Sequence, residues 1–582
     1  MTTGTASRTR APAASGPGGR PSTERVLRIG WALAVVALIG YPIAEVFRRS
    51  LVDSDGRPTP ANYALLVTEP QLLTATLNSL WIATGATVGA LLIGLPTSWL
   101  VVRTDMPFRG FFRGVALLTF AAPSFIAALG WILLLGPNGG LINTTLMSVF
   151  GLESAPFDIF TPWGIIFVLA LFLYPLVFLP VSAGLEGVDP SMEDAAAGLG
   201  ASRLRVLRTV TFPVVMPSIV AGALLVFVTS FVIFGPVALL GGPAGFQTVP
   251  TVLLSLMNFP PRIEAAAVVA VPVLVLVAAL LVVQRTLVGG RRFTVIGGKP
   301  GRHGLVRLGA LRPLAVGVCA TVVLFSIVLP FGILLVTSTR RAIGLPLGPD
   351  NFVPVQNYAT TFAQPRVAVA LGNSLVLALA GTAIALVIAV VASWLVTRTR
   401  ARSNAVITPV MAAPLAFPGA ILGIGIIIAY AGSPFGLGGT LLIMLIGYVG
   451  CALPLTFVYV HAGMGQVAGE TEEAARSLGA SWLRTTATVT VPLLRPSLLA
   501  AGLLNFVLLF RELELSIFLY TGANPTVATV LYGLANESRY QLAGALSVVV
   551  LVINVGITLL AVRLLGRSAG TRPAPDREGA EP

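Results

Sequence analysis

Twelve runs of apolar residues divide this chain, each about 22 to 26 residues long. They fall at about 26–47, 77–101, 114–136, 163–187, 214–239, 263–285, 313–337, 371–396, 406–430, 438–462, 493–518 and 541–563. An α-helix needs about 20 apolar residues to cross the hydrocarbon core of a bilayer. A soluble domain has no room for twelve such segments. Only 10% of the residues are charged, against about 25% in soluble domains. The expected fold is therefore an all-α integral membrane protein with about 12 transmembrane helices, whose first partner is the lipid bilayer.

The ends and loops are read from their charge. Residues 1–25 are mostly Pro, Gly, Ala, Ser, Thr and Arg, and read as a disordered tail. The run at 26–47 lacks a small-residue cleavage site and is long enough to span, so it reads as a span and not a signal peptide. Residues 564–582 read as a second polar tail. Lys and Arg accumulate in cytoplasmic loops and so set orientation. With the N-terminus inside, inside segments hold 28 of the 37 basic residues and outside loops hold 8; Arg511 falls within a span. Both termini are expected in the cytoplasm. The net charge of +14 is placed by topology, so no nucleic-acid partner is expected.

The two halves repeat. Residues 193–213 read EDAAAGLGASRLRVLRTVTFP, and residues 472–492 read EEAARSLGASWLRTTATVTVP, at an offset of 279. Asn78-Ser79-Leu80 matches Asn373-Ser374-Leu375, and Ser98-Trp99-Leu100-Val101 matches Ser393-Trp394-Leu395-Val396. Pro123 and Gly130 match Pro418 and Gly425, all at offset 295. The offset falls from 295 to 279, so the first half carries 16 extra residues, expected in the outside segment 137–162. The chain divides into a first repeat at 26–285, a basic cytoplasmic linker at 286–312 and a second repeat at 313–563. Six spans per repeat is even, so the repeats are expected to be parallel.

The polar, alanine-rich loop stands out against this apolar background. Each copy reads as two short helices broken at Gly200 or Gly479, where glycine permits a sharp turn. Glu193 and Asp194, like Glu472 and Glu473, sit near a helix start, where acidic side chains suit the positive dipole end. Ala195-Ala196 and Ala474-Ala475 offer a small-residue surface that another protein can approach closely. Pro213 and Pro492 lie where the next span is expected to begin. One such loop could be an interfacial helix without a partner, but two aligned copies need a shared reason. Both lie inside under the expected topology.

The pattern EAA-x3-G-x9-I-x-L-P marks permease subunits of binding-protein-dependent ABC importers, and this chain resembles them. The second copy shows Glu473-Ala474-Ala475, Gly479, Val489, Val491 and Pro492; the first shows Asp194-Ala195-Ala196, Gly200, Val210, Phe212 and Pro213. Asp in place of Glu is the main departure. The resemblance covers about 75–285 and 370–563 and implies a multi-pass protein of the bacterial inner membrane. It also implies that each loop is a coupling helix fitting a cleft on an ATPase subunit. The implied partners are two copies of a cytoplasmic ABC ATPase and an extracytoplasmic solute-binding protein. Gly297-Gly298-Lys299-Pro300 lacks the first glycine of a phosphate loop and has Pro where Ser or Thr must bind magnesium. The chain is thus not expected to be an enzyme or to hold a cofactor; ATP and magnesium belong to the partner ATPase.

A fused twelve-span permease looks most like those for ferric iron, with thiamine and aminoethylphosphonate permeases close by. Phe234-Gly235-Pro236, Leu240-Gly241-Gly242-Pro243, residues 292–299 and residues 510–516 carry this part of the resemblance. Arg511, Glu512 and Glu514 fall in the outer part of a span, where ionisable groups are costly and face a cavity or each other. The first half has Val232, Ile233 and Gly235 at the matching positions. Arg511 and Glu514 are three apart and are expected to pair along one helix face, either as a structural ion pair or as an outer gate or substrate contact. Carboxylates suit a hard cation such as ferric iron, and the arginine suits a phosphonate. Cys319 and Cys451 read as small core residues. His303 and His461 are isolated, so no metal ligands are assigned. Prolines inside spans, among them Pro123, Pro175, Pro180, Pro272 and Pro418, are expected to kink or unwind them. An ATP-independent secondary transporter shares the gross topology but does not need duplicated docking loops. A membrane enzyme would need a catalytic cluster at membrane depth, and none is seen.

Overall fold

The computed structural model describes residues 21–53, 56–289, 305–345 and 348–569. Most of both tails, residues 290–304 of the linker with Gly297 to Pro300, and His303 lie outside the described residues. Among the described residues, ten helices are long and apolar enough to cross a bilayer. They include two of 34 residues, Pro70–Arg103 and Pro365–Arg398, at matching places in the two halves. Among the described residues there are no strands, only isolated bridges.

Two of the twelve expected spans are broken. The run at 114–136 forms Arg109–Ala121 and Ser124–Leu135, which meet at 98°. The run at 406–430 forms Asn404–Ala412, a tight turn at Ala413–Ala416, and Gly419–Ile426 continued by Ile427–Ala431. Both breaks fall at the matched prolines. Pro123 and Pro418 are extended at ψ 121° and 143°, and so are Ala122 and Phe417 before them. A proline ring removes one helical N–H and drives the residue before it out of the α region. The extra residues of the first half fall where expected. The segment 136–161, with helix Leu141–Phe150, stands where the second half has only 432–440.

Four other helices bulge just ahead of a proline. Wide π turns occupy Val36–Gly40, Leu207–Thr211, Leu324–Val328 and Thr486–Thr490, each two residues before Pro42, Pro213, Pro330 or Pro492. The missing proline N–H and the bulk of its ring widen the preceding turn instead of ending the helix. The expectation that spans begin at Pro213 and Pro492 is therefore corrected. They begin at Leu204 and Trp482, so the second short helix of each loop runs through the bulge into the membrane.

The halves exchange their first spans. The first span, Thr23–Ser50, packs between Ile263–Gly289 of its own half and Gly419–Ala431 of the other. The seventh, Gly309–Ser338, packs between Tyr540–Ala569 of its own half and Ser124–Leu135 of the other. The matched glycines sit at these crossings. A Cβ on Gly130 would overlap the Pro330 backbone, and one on Gly425 would lie 3.0 Å from the Pro42 carbonyl oxygen. At the first crossing the Tyr430 hydroxyl donates to the Ala37 carbonyl at 2.5 Å.

The matched Asn-Ser pairs anchor loops at the end of the bundle away from the alanine-rich loops. Asn78 Nδ2 donates to the Gln247 carbonyl at 2.8 Å, and the Val249 amide donates to Ser79 Oγ at 2.9 Å. Asn373 and Ser374 make the same bonds to the Pro525 carbonyl and the Val527 amide, both at 2.9 Å. Each anchored loop leads into a short helix, Val249–Met257 or Val527–Asn536, opened by a threonine capping box.

Candidate functional site

Both alanine-rich loops have the same local architecture. Helix Pro190–Gly198 ends at Gly200, φ +83°, and helix Gly469–Ser477 ends at Gly479, φ +86°. The Gly200 amide donates to the Ala197 carbonyl and the Ala201 amide to the Ala196 carbonyl, at 2.9 and 3.1 Å. The second loop repeats this from Gly479 to Arg476 and from Ala480 to Ala475, at 2.9 and 3.2 Å. This double bond is the Schellman ending, and its left-handed residue is the one that only glycine holds without strain. The ending throws Leu199 and Leu478 outward, each 90% exposed. Asp194 with Ala195, and Glu473 with Ala474, are exposed beside them, while Ala196 and Ala475 are half-buried.

The first acidic residue of each pair does something else. Glu193 forms an ion pair with Arg103 and accepts from Thr211 Oγ1 at 2.6 Å. Glu472, 1% exposed, lies 3.4 Å from Arg398 Nε and accepts from Thr490 Oγ1 at 3.2 Å. Arg398 also donates to the Val467 carbonyl at 2.8 Å. The dipole role expected for Glu193 and Glu472 is thus secondary to an internal clamp. Each glutamate ties its loop helix to the last residue of a 34-residue span and to the π turn of the next span. Sequence reasoning missed Arg103 and Arg398. The signal was present, because they continue the matched Ser-Trp-Leu-Val stretch at offset 295.

The exchanged spans brace both clamps. Arg312, at the start of the seventh span, forms an ion pair with Asp105, whose carboxylate also accepts from the Leu308 amide at 2.9 Å. These two bonds hold the Asp105 carboxyl down at about 2. The Val306 amide donates to the Arg103 carbonyl at 2.9 Å. In the other half Arg28 of the first span donates to Ser403, to Asn404 Oδ1 at 2.9 Å and to Thr399 Oγ1 at 3.3 Å. These contacts put the start of the first span, residues 103–109, 305–312 and 398–404 and both loops at one end of the molecule.

The second candidate is a cavity of about 400 Å³ between the halves, where the broken helices meet. Pro123, Ser124, Gly419, Cys451, Asn505 and the segment 511–514 line it. The eleventh span ends at Phe510, so Arg511, Glu512 and Glu514 do not share a helix face. No ion pair joins Arg511 to Glu514 among the described residues, which corrects the expected pairing. Arg511 instead reaches the other half and donates to the Ala122 and Phe120 carbonyls, the second at 3.2 Å. A cation there meets the negative end of helix Arg109–Ala121. Glu512 accepts from the Leu515 amide, the Ser516 amide and Ser516 Oγ at 2.8, 2.9 and 2.9 Å, capping helix Ser516–Leu519. Glu514 backs onto the start of the other broken helix. A Cβ on Gly419 would lie 3.2 Å from its Cβ, and the Phe234 amide faces its carboxylate. The first half breaks its fifth span at the same place, after Val232, but carries no charge there. Cys451 is half-buried at the cavity wall and is not a plain core residue. Among the described residues no three of His, Cys, Asp and Glu gather into a metal site.

The chain matches known proteins along most of its length. The family described as binding-protein-dependent transport system inner membrane component matches residues 86–292 and again residues 385–568. An ABC transporter permease protein of Sinorhizobium fredii is 27% identical over 561 residues, covering 93% of this chain and 96% of its own. The ferric transport system permease protein FbpB of Actinobacillus pleuropneumoniae is 24% identical over 544 residues, covering 91% and 77%. A 2-aminoethylphosphonate transport system permease protein of Salmonella typhimurium is 32% identical over 224 residues, covering 38% of this chain and 78% of its own.

Proposed function

This chain belongs to the family of binding-protein-dependent transport system inner membrane components, and we propose that it carries ferric iron from a solute-binding protein to the cytoplasm. It is the permease subunit of an ABC importer, with both repeats in one polypeptide. ATP is hydrolysed by two partner ATPase subunits, one on each alanine-rich loop. The end that carries the loops faces the cytoplasm, and so do both termini.

One observation carries the coupling role: two loops of the same geometry, each with an exposed leucine at its tip and a buried ion pair at its root. The tip offers an apolar contact, and the root ties any movement of the loop to two spans. A push on Leu199 or Leu478 is therefore delivered to the ends of Pro70–Arg103 and Pro365–Arg398. Those spans pack against the fifth and eleventh spans, whose breaks close the cavity from its other side.

Iron rests on the likeness to the ferric transport permease of Actinobacillus pleuropneumoniae, whose match covers 91% of this chain and 77% of its own. The cavity is a passage without a built ligand set, since Glu512 is committed to capping and Arg511 to backbone carbonyls. Recognition of the cargo then falls to the binding protein. The test is reconstitution in proteoliposomes with the cognate ATPase and binding protein, followed by uptake of radiolabelled ferric iron. ATP-dependent iron uptake is expected. Uptake of 2-aminoethylphosphonate in place of iron would overturn the cargo, and ATP-independent uptake would overturn the mechanism.

A further inference from the structure

We propose that Arg511 and Glu514 are positioning residues that reach from the second half into the first and hold the Phe234 ring as a seal between the central cavity and an outer pocket. This rests on the reading that a solute passes through the cavity, because an importer that keeps a gradient cannot leave its cavity open at both ends. The outer pocket has a volume of about 200 Å³ and is lined by Phe234, Gln247, Thr251, Ser255, Asn258 and Tyr532. It lies at the end away from the alanine-rich loops, beside the segment that Asn78 and Ser79 anchor. Ser255 and Asn258 are exposed and open it to solvent. Ile233 and Gly235 line the central cavity instead. Phe234 stands between them in the chain, so its ring and its two neighbours face different spaces.

The seal is built from rings of both halves. Phe234 is 0% exposed. Its ring centroid is 5.6 Å from that of Tyr532 and 6.3 Å from that of Phe518, both of the second half, a spacing usual for packed aromatic pairs. Phe518 in turn backs onto the second broken helix, where a Cβ on Gly423 would lie 3.2 Å from its Cβ. Apolar side chains packed across a passage exclude water and ions for as long as they stay together.

Phe234 is held by charges that its own half lacks. The Glu514 carboxylate faces its amide. Arg511 donates to the Phe120 and Ala122 carbonyls, and so fixes the turn that leads to Phe125. A Cβ on Gly235, the residue after Phe234, would lie 2.7 Å from the Phe125 Cβ, so the two segments pack without slack. The halves are complementary here. At offset 279, Leu513 stands in place of Phe234, while Val232, Ile233 and Gly235 stand in place of Arg511, Glu512 and Glu514. One half brings the ring and the other brings the charges. A rocking of the halves that parts Arg511 from its carbonyls therefore parts Glu514 from Phe234 as well.

The two native cysteines report on the seal. Cys451 lines the cavity, Cys319 is 2% exposed, and the chain has no others. The full chain with Cys319→Ser is placed in right-side-out membrane vesicles washed free of nucleotide, and a charged, membrane-impermeant methanethiosulfonate is added outside. Cys451 should react slowly. Glu514→Ala and Arg511→Met should each raise its rate about tenfold or more, the population shift that follows loss of a hydrogen bond to a charged group. Phe234→Ala should raise it further. Glu514→Gln keeps an accepting oxygen and should stay at the parent rate. In chains with Cys451→Ser instead, Cys319 should stay unlabelled in every variant. An unaltered rate in Phe234→Ala, Glu514→Ala or Arg511→Met overturns the proposal, and so does Glu514→Gln reacting as fast as Glu514→Ala. Cys319 labelled in step with Cys451 overturns it too, because a general loosening then accounts for both. The readout needs neither cargo nor ATPase, so iron uptake can fail with the seal upheld, and the seal can fail with iron uptake upheld.

Discussion

Gly130 and Gly425 mark the points where one methyl group would be felt by both halves. At each, the exchanged span of the other repeat passes with its backbone against the glycine Cα. Forcing extra volume into such a contact costs about 1–3 kcal/mol. Gly130→Ala is expected at the upper end, because its Cβ would overlap the Pro330 carbonyl, and Gly425→Ala at the lower end, because Pro42 lies farther off. Thermal unfolding in detergent should rank the variants in that order, and equal midpoints would contradict it. Asp105 gives a pH dependence at the same scale. Its carboxyl is held below the ordinary value of 3.8, at about 2, by Arg312 and the Leu308 amide. A lowered carboxyl favours the folded contact above its unfolded value and loses it as pH falls through the folded one. The latch should hold from neutral pH down to about 4 and release between about 4 and 2. Asp105→Asn should release it at neutral pH, read as faster tryptic cleavage at Arg307; an unchanged rate would show that the isolated backbone bridge at Val306 suffices.

The proposed coupling role makes the loop helices levers, because their roots are buried and their tips are not. Breaking one partner of a buried ion pair costs about 3–5 kcal/mol, and Glu472 is the more buried of the two roots. Glu472→Gln should therefore uncouple ATP hydrolysis from uptake more severely than Glu193→Gln, with the ATPase still bound. Leu199→Asp and Leu478→Asp should instead weaken ATPase association, measured by co-purification, and leave the fold intact. The turn glycines, the exposed alanines and the apolar spans were legible in the sequence because each depends on neighbours within one or two turns. The clamp was not, because Arg103 and Glu193 are 90 residues apart and meet only after the two spans between them have folded. The breaks at Pro123 and Pro418 were half legible. Pro272 and Pro454 sit in equally apolar runs, yet their helices continue. What separates the two groups is tertiary packing, which a proline in a window of apolar residues does not announce. Arg511 misled for the same reason, since spacing along a helix means nothing once the helix has stopped at Phe510.

Across the whole molecule, the internal repeat revealed the pairing of the halves but not their exchange of spans. A repeat states which residues correspond and is silent on which copy they touch. Exchange makes each half the lining of the other. If the chain is cut between residues 294 and 295, the two pieces should co-purify when made together, and either alone should be degraded or aggregate. Recovery of a stable first piece by itself would contradict the exchange. The same feature sets a clock on synthesis. The groove on Ser124–Leu135 is complete as soon as its own helices are inserted, but its cover, Gly309–Ser338, leaves the ribosome later. At about 5–20 residues per second, the interval from the end of the sixth span to the end of the seventh lasts about 3 to 10 s. For that time a nascent chain presents an unfilled seam to the lipid, and an insertase or a neighbouring nascent chain has its opportunity to occupy it.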